Sequence, residues 1–364
     1  MTKREEALAQ LPLRNNLVGL VPYGAPQIDV PILLNVNENT HGVPADVHAA
    51  IVAAVDVAAR GLNRYPDREF TELRTNLAAY LGHGIVPEQV WAANGSNEVL
   101  QQILQAFGGP GRTALGFPPT YSMYPLLAGS TDTRYVTAGR SAAFGMTASA
   151  TAAHVRDSRA NIVFLCSPNN PTGTALGLDV VEAAYEAGEV ERAIIIVDEA
   201  YGEFATSGTG SALTLLPGRE RLIVSRTMSK AFALAGARLG YLAAAPEIAD
   251  ALRLVRLPYH LSAITQAAAN AALTHADTLL ANVEAIKEQR DRIVAELGLL
   301  GLSPAPSDAN FVFFGGLDDS RAVWRGLLQA GVLIRDVGID GHLRVTAGTE
   351  AETTVFLDTL RTLL

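Results

Sequence analysis

Residues 193–201, with the sequence AIIIVDEAY, place a run of branched apolar residues directly before a carboxylate. Two other stretches have the same form: NIVFLCS at residues 161–167 and RLIVSRT at residues 221–227. Short apolar runs that do not alternate with polar residues are typical of strands buried on both faces of a parallel sheet. The three stretches therefore predict neighbouring parallel strands.

Helical patterns separate and precede these strands. Residues 46–61, 68–82 and 97–109 carry apolar residues at helical spacing and end at glycine, a frequent residue at helix C-termini. Residues 176–188 give a similar pattern between the first two strands. This alternation predicts a doubly wound α/β domain, whose ligands bind at the carboxyl ends of the strands.

The pattern of predicted helices and strands changes after Leu261. A long helical pattern at residues 276–298 is followed by short strand-like runs and by a closing helix that begins near Glu350. The runs are NFVFF at 310–314, VLIR at 332–335 and HLRVT at 342–346. We predict an N-terminal arm that joins the small domain (1–43), a large α/β domain (44–260) and a smaller α+β domain (261–364).

Composition limits the classes of partner. The 364 residues are 49% hydrophobic and 18% charged, which excludes intrinsic disorder. The net charge of -9, with no block of Lys or Arg, argues against nucleic-acid binding. The single cysteine, Cys166, lies in a predicted strand without a metal-type Cys/His cluster around it. We expect small-molecule partners and no metal.

The compartment is predicted from the same features. The first residues are charged and lack the apolar core of a secretion signal, and no run of about 18 apolar residues occurs in the sequence. One cysteine cannot form an internal disulfide, which fits a reducing compartment. We therefore expect a cytoplasmic protein that is not inserted in a membrane.

Each of the three predicted strands is followed by a polar side chain that could take part in binding or catalysis. These are Asn170, Asp198 with Tyr201, and Lys230. Each has an ordinary structural explanation when it is taken alone: a turn before Pro171, a helix cap, a surface amine. If the strands are parallel neighbours, however, these side chains converge at one edge of the sheet.

Together these groups match the needs of pyridoxal phosphate, which requires an amine, a carboxylate facing its ring nitrogen and donors to its ring oxygen. Lys230 would supply the amine and Asp198 the carboxylate, while Asn170 and Tyr201 would donate to the oxygen. Lys230 would also move protons between substrate carbons once its amine is released.

A phosphate group needs backbone N–H groups and a fixed cation. Ser96 and Asn97 begin an amphipathic helical pattern, where free N–H groups favour an anion, although an ordinary helix cap would explain them equally. Thr227 and Ser229 add hydroxyl donors and Arg238 a forked cation. Tyr121 could stack on the cofactor or pack in the core, and Tyr65 could be a turn aromatic.

These residues stand in an ordered set of motifs that extends over nearly the whole chain. The set is PYGAP, LNVNEN, NRYPD, AANGSNE, FPPTYSMYP, SPNNPTG, VDEAYGEF, TMSKAFALAGARLGY, RLPYHLS, SDANFV, IRDVG and LRVTAGT. In this order they resemble the fold type I pyridoxal phosphate aminotransferases and, within them, the histidinol-phosphate aminotransferase family. The resemblance implies a seven-stranded, mostly parallel sheet between helices, with a smaller α+β domain.

The resemblance implies that the residues named above contact the cofactor in the roles already described. They are Lys230, Asp198, Asn170, Tyr201, Tyr121, Ser96, Asn97, Thr227, Ser229 and Arg238. It further implies that Tyr65 reaches the cofactor phosphate of the partner subunit in a homodimer. Substrate contacts are expected from Tyr23, Arg335, Arg344 and, lining the same pocket, Asn37. An unpaired guanidinium at Arg344, inside an apolar strand, would be costly without an anionic ligand.

The implied reaction belongs to histidine biosynthesis. An amino group moves between L-histidinol phosphate and 2-oxoglutarate or glutamate, in two half-reactions. Thr40 and Tyr124 depart from residues frequent in the family, which leaves the choice of substrate more open than the cofactor. An aromatic amino acid aminotransferase and a decarboxylase of phosphorylated amino acids are the alternatives on this fold. A non-catalytic effector domain of a transcription regulator is disfavoured, since too few residues precede LNVNEN for a DNA-binding domain.

Overall fold

A seven-stranded sheet forms the centre of the larger part of the chain. The computed structural model describes residues 10–18, 24, 26–206 and 208–364. In spatial order the strands are β2 (Val90–Ala93), β8 (Gly240–Ala244), β7 (Leu222–Thr227), β6 (Ile194–Asp198), β5 (Ile162–Cys166), β3 (Thr113–Gly116) and β4 (Arg134–Thr137). In this sheet β8 pairs antiparallel with β2 and β7, and every other pairing is parallel. The predicted mostly parallel sheet is confirmed.

The helices associated with this sheet contribute apolar side chains to one buried core. They are α1 (Ala45–Ala59), α2 (Thr71–Leu81), α3 (Ser96–Phe107), α4 (Met123–Ser130), α5 (Ala148–Ser158), α6 (Leu178–Ala187), α7 (Pro246–Val255), α8 (Ala263–Leu273) and α9 (Ala276–Leu280). Gly82 and Gly108 directly follow α2 and α3, as the sequence predicts. Within the described ranges, no helix combines the length and the apolar content that a membrane span needs.

A second, smaller core lies around two short sheets. Strand β10 (Phe311–Gly315) pairs antiparallel with β9 (Ser303–Pro304) and β12 (Leu343–Thr346), and β1 (Ile32–Leu33) pairs parallel with β11 (Val332–Leu333). The helices of this part are α10 (Asn282–Leu299), α11 (Ser320–Gln329) and α12 (Glu350–Leu363). The predicted helix 276–298 is divided between α9 and α10.

Short 3-10 helices complete the described elements. They are Asn15–Leu17, Pro87–Gln89, Gly202–Phe204, Ala212–Leu215 and Ala235–Ala237. Gly202–Phe204 follows β6, which ends at Asp198, and Ala235–Ala237 lies between β7 and β8.

The two cores do not divide the chain at a single point. Leu34 belongs to the smaller core, together with β10 and β12. Leu261, Ala269 and Leu279 pack with the larger core, although they follow residue 260 in sequence. The domain boundaries at residues 43 and 260 therefore stay a prediction, with α8 and α9 packed on the larger side.

Strand register brings the functional segments together. Cys166, at the end of β5, lies opposite Asp198, and Asp198 lies opposite Ser225 in β7. Because the three strands are parallel, the segments that leave them share one edge of the sheet. The convergence predicted from the sequence follows from this register.

We expect Ile196→Ala to lower the free energy of unfolding by about 2–5 kcal/mol. Ile196 is fully buried in β6, between β5 and β7, so the change leaves a cavity beneath Asp198. The measurement is denaturant unfolding followed by circular dichroism. Val57→Ala in α1 is the control, since Val57 is 71% exposed and its loss should change stability by less than about 0.5 kcal/mol. Equal effects of the two substitutions on the free energy of unfolding would contradict the buried position of Ile196.

Candidate active site

A cavity of about 170 Å³ lies at the carboxyl ends of the central parallel strands. Most of the predicted site residues line it: Asn37, Ser96, Asn97, Tyr121, Asn170, Asp198, Tyr201, Thr227, Ser229, Lys230, Arg238 and Arg344. They come from segments spread over more than three hundred positions of the sequence. The cavity therefore depends on both cores.

Asp198 presents a buried and incompletely paired carboxylate to this cavity. It ends β6 and is 3% exposed. The hydroxyl of Tyr124 donates to Oδ2 at 2.8 Å, whereas Oδ1 has no hydrogen-bond partner among the described residues. Burial raises the pKa of Asp198 to about 6, although the hydrogen bond from Tyr124 acts in the opposite direction. A buried carboxylate oxygen without a partner is costly unless a ligand supplies a donor.

Lys230 places an amine in the same cavity. It follows β7, and Nζ donates to the carbonyl oxygen of Val36 at 3.0 Å. Burial, together with the positive charges of Arg344 and Arg238, lowers the pKa of Lys230 to about 7. The amine is therefore substantially deprotonated at neutral pH, which is the form that attacks a carbonyl carbon.

A hydrogen-bond network joins Tyr201 to both cores. The Tyr201 hydroxyl accepts from Nδ2 of Asn37 at 2.9 Å and from Nδ2 of Asn170 at 3.4 Å. Nη1 of Arg344 donates to Oδ1 of Asn170 at 2.6 Å, and Nη2 donates to the backbone carbonyl of Asn35 at 2.8 Å. Since its oxygen accepts both bonds, the Tyr201 hydroxyl can donate its own proton to a ligand. Burial raises its pKa, which keeps that proton in place.

The N-terminus of α3 forms one end of the cavity together with a guanidinium. Gly95 precedes α3 with φ +85°, and a Cβ there would lie 2.4 Å from Nη2 of Arg238. Thr227 and Ser229 line the same cavity, and Thr227 Oγ1 lies 3.0 Å from Ser229 Oγ. Helix N–H groups, hydroxyl donors and a fixed cation are the groups that bind a phosphate. This end of the cavity is therefore suited to a phosphate-sized anion.

A close backbone approach holds α3 in this position. A Cβ on Gly240, in β8, would lie 2.0 Å from the backbone nitrogen of Ser96. Only glycine allows the first turn of the helix to approach the strand so closely. Arg238, two residues before, has the left-handed φ of 55°. The glycine of the ARLGY segment is therefore a requirement of the anion end.

Buried ion pairs hold the two segments on which Asp198 and Thr227 lie. Arg226 Nη2 contacts Glu199 Oε2 at 2.7 Å, and Nη1 contacts Glu203 Oε1 at 3.1 Å. Glu199 follows Asp198 in sequence, and Arg226 precedes Thr227. Removal of one partner would leave an uncompensated buried charge. The ion pairs thus fix the end of β6 against the end of β7.

Three predicted site residues lie elsewhere. Arg335 lines a second cavity of about 960 Å³, which shares Tyr121, Asn170 and Arg344 with the first. Tyr65 is 79% exposed and is not among the residues that line either cavity. Tyr23 lies outside the described residues.

Sequence reasoning missed some of the groups that shape the site. Tyr124, considered only as a departure from the family pattern, is fully buried and stacks on Phe164 with a centroid distance of 4.4 Å. Its position three residues after Tyr121 in the same motif was the available signal. The Val36 carbonyl gave none, because a backbone acceptor leaves no trace in side-chain identity. Burial raises the pKa of the Cys166 thiol to about 12, so this wall residue is unreactive.

Comparisons with known proteins agree with this geometry. Residues 29–360 match the family model of aminotransferase class I and II. A histidinol-phosphate aminotransferase of Paenarthrobacter aurescens (strain TC1) is 74% identical over 100% of this chain and 98% of its own length. One from Frankia casuarinae is 59% identical over 96% of this chain and 89% of its own length.

Solved structures show the same fold. The histidinol-phosphate aminotransferase of Sinorhizobium meliloti, in complex with pyridoxal-5'-phosphate, superimposes with a TM-score of 0.82 at 28% identity. The superposition covers 92% of each chain. An aspartate aminotransferase of Thermus thermophilus, with maleate, gives a TM-score of 0.79 at 25% identity, over 93% of this chain and 92% of that one.

We expect Asp198→Asn to stabilise the ligand-free protein by about 1–3 kcal/mol at pH 7.5, because it removes a buried charge. The folded-state pKa of Asp198, about 6, exceeds the ordinary value of 3.8, so its contribution to stability falls as pH rises between those values. The gain should therefore shrink towards pH 4. Denaturant unfolding across this pH range measures it, with exposed Asp318→Asn as the control. A gain in the free energy of unfolding that is largest at pH 4 would contradict a raised pKa for Asp198.

Proposed function

Because this chain belongs to the class I and II aminotransferases and, within them, to the histidinol-phosphate aminotransferase family, we propose that it transfers an amino group between L-histidinol phosphate and 2-oxoglutarate. Pyridoxal 5'-phosphate is the proposed cofactor. The observation that carries the proposal is the burial of Lys230 and Asp198 in one cavity, with no ion pair to either of them from the residues that the structure describes.

The carboxylate and the amine fit this cofactor. Oδ1 of Asp198 is buried and unpaired among the described residues, and a protonated ring nitrogen is the donor that would satisfy it. Lys230 Nζ would hold the aldehyde carbon covalently, with the aldehyde oxygen lost as water. Tyr201 and Asn170 would donate to the ring oxygen, and Tyr121 would cover the face of the ring.

The phosphate end fits as well. The first N–H groups of α3 at Ser96 and Asn97, the hydroxyls of Thr227 and Ser229, and Arg238 surround that end of the cavity. The contact of Gly95 with Arg238 leaves no room for a side chain between the helix and the guanidinium. These groups would hold the phosphate as a dianion.

The protein residues divide the remaining work between binding and proton transfer. When bound, the cofactor supplies an electron sink that acidifies the hydrogen on the amino-bearing carbon. Lys230 would be released from the aldehyde carbon when the substrate amine bonds there in its place. The free Lys230 amine, with a pKa of about 7, can then accept that proton at Nζ and return it to a neighbouring carbon at neutral pH. Asp198 keeps the positive charge of the ring nitrogen paired while the proton moves.

Two arginines suit the anionic groups of both substrates. Arg344 is held by Asn170 and by the backbone of Asn35, and it faces both cavities. Arg335 lies in the second cavity. A guanidinium donates paired hydrogen bonds to a carboxylate or to a phosphate with similar geometry, so glutamate and histidinol phosphate can alternate there. Asn37 and Tyr23 complete the proposed substrate contacts.

The active unit that we propose is a homodimer in the cytoplasm. Tyr65 is highly exposed in its own chain, which supports its proposed contact with the cofactor phosphate of the partner subunit. The single cysteine is buried and can form no internal disulfide. This supports a reducing compartment such as the cytoplasm.

A substrate panel tests the reaction. Purified protein with the cofactor should form glutamate from 2-oxoglutarate with L-histidinol phosphate at a kcat/KM at least about tenfold above that with phenylalanine, because the phosphate carries more charge and more acceptor oxygens for the arginines than the single carboxylate of phenylalanine. Lys230→Ala should reduce turnover by a factor on the order of 10³ or more.

The control for Lys230→Ala is Lys287→Ala, which changes an ion pair in α10 far along the chain from the site. Its turnover should match that of the unmodified protein. A preference for phenylalanine would support the aromatic alternative, and release of carbon dioxide would support a decarboxylase. Full turnover by Lys230→Ala would refute the mechanism.

The rate at which the cofactor-free protein captures pyridoxal 5'-phosphate should rise with pH and level off above about 7. Only the deprotonated amine attacks, and burial lowers the pKa of Lys230 to about 7. Stopped-flow absorbance between pH 6 and 9 measures this rate. A rate that continues to rise towards pH 9 would show that Lys230 retains an ordinary lysine pKa.

A further inference from the structure

Tyr65 is not an isolated surface residue, because its ring stacks on that of Tyr259. The ring centroids are 4.4 Å apart and the planes differ by 13°. Tyr65 is 79% exposed and Tyr259 is 38% exposed, and Tyr259 has a positive φ of 57°. A stacked aromatic pair leaves apolar surface exposed to solvent, and such exposed apolar surface often marks a site of interaction.

Ion pairs fasten the two segments that carry this pair. Glu69 contacts Arg253 Nε at 3.1 Å and also pairs with Arg256, whose side chain is largely buried. Arg256 Nη1 donates to the backbone carbonyl of Arg68. Burial raises the pKa of Glu69, but the hydrogen bonds from Arg256 and Arg253 outweigh it and hold the pKa at about 2. The carboxylate is therefore charged at any physiological pH.

Further contacts anchor the inner ends of both segments in the larger core. Arg256 lies over the ring of Trp91, 5.3 Å from its centroid, and His260 stacks on the same ring at 5.6 Å. Phe70 packs edge-on against both rings. Tyr65 thus lies shortly before the anchored Phe70, and Tyr259 lies between the anchored Arg256 and His260.

We infer that Tyr259 is a positioning residue that holds the ring of Tyr65 in the orientation required at the cofactor phosphate site of a second copy of this chain. The inference rests on the proposed function, in particular on the contribution of Tyr65 across the dimer interface. Tyr259 acts through Tyr65 and affects the site of the partner, whereas the site of its own chain does not depend on it.

The neighbourhood of the pair supports a second copy as the occupant of this surface. Leu257 and Leu62 lie within three residues of the pair in sequence and are 75% and 57% exposed. Exposed leucines beside stacked tyrosines form an apolar surface of the kind that self-association buries. The stack orders Tyr65 before association, which lowers the entropy lost when the tyrosine enters the partner site.

Cofactor affinity tests the stacking contribution. We expect Tyr259→Ala to raise the dissociation constant for pyridoxal 5'-phosphate about 3- to 10-fold in titrations of the cofactor-free dimer, the range that corresponds to one aromatic pair. Tyr259→Phe keeps the ring and should bind as the unmodified protein does. In a Tyr65→Ala background, Tyr259→Ala should add almost nothing, because the two residues act as one unit.

Mixed dimers, purified with two different affinity tags, test the direction of the effect. Each carries Lys230→Ala in one chain, so that only the other chain can bond the cofactor, and absorbance of the lysine-bound cofactor reports that site alone. The control dimer has no further change. Tyr259→Ala placed on the Lys230→Ala chain should weaken binding about 3- to 10-fold. Placed on the chain with intact Lys230, it should leave the dissociation constant unchanged.

The outcomes separate this inference from the proposed function. Weaker cofactor binding in both arrangements would indicate general destabilisation by Tyr259→Ala. Weaker binding only when Tyr259→Ala lies on the chain with intact Lys230 would indicate action within one subunit. Either result overturns the inference, as does unchanged binding in both arrangements. Tyr65→Ala in the same two arrangements tests its own contribution across the interface. Failure of the control dimer to bind the cofactor would overturn the proposed function and, with it, this inference.

Discussion

The site depends on two ionisable groups that the fold buries without pairing them with each other. The parallel pairing of β6 with β5 and β7 fixes Asp198 at the end of its strand, and the segment after β7 returns Lys230 to the same cavity. Each group has a pKa displaced towards neutrality by burial. A protein that buries an amine and a carboxylate in this way gives up stability that a ligand with complementary charge restores.

The second dependence is on the connection between the two cores. Arg344 belongs to a strand of the smaller core, yet it donates to Asn170 on a loop of the larger sheet. Asn37 likewise links the N-terminal segment to Tyr201 and Thr346. The geometry around Tyr201 is therefore set jointly by segments that are distant in sequence, which makes the relative placement of the cores part of the chemistry.

The sequence predicted the parts of the fold that follow from local pattern. Uninterrupted apolar runs gave β5, β6 and β7, and ordered motifs gave nearly all the residues of the cavity. It did not reveal that α8 packs with the larger core, since an alanine-rich helix such as residues 263–273 carries no mark of its neighbour. The hydrogen bond of Tyr124 and the acceptor at Val36 depend on three-dimensional approach, which residue identity does not encode.

The state of Cys166 has a practical consequence for experiments on this chain. It is the only cysteine in the sequence, it is buried, and its thiol is far from forming a thiolate at neutral pH. Maleimide reagents modify thiolates, so the unmodified protein should be silent towards them. A single cysteine introduced at an exposed position then becomes a specific attachment point for fluorophores or spin labels, without prior removal of the native residue.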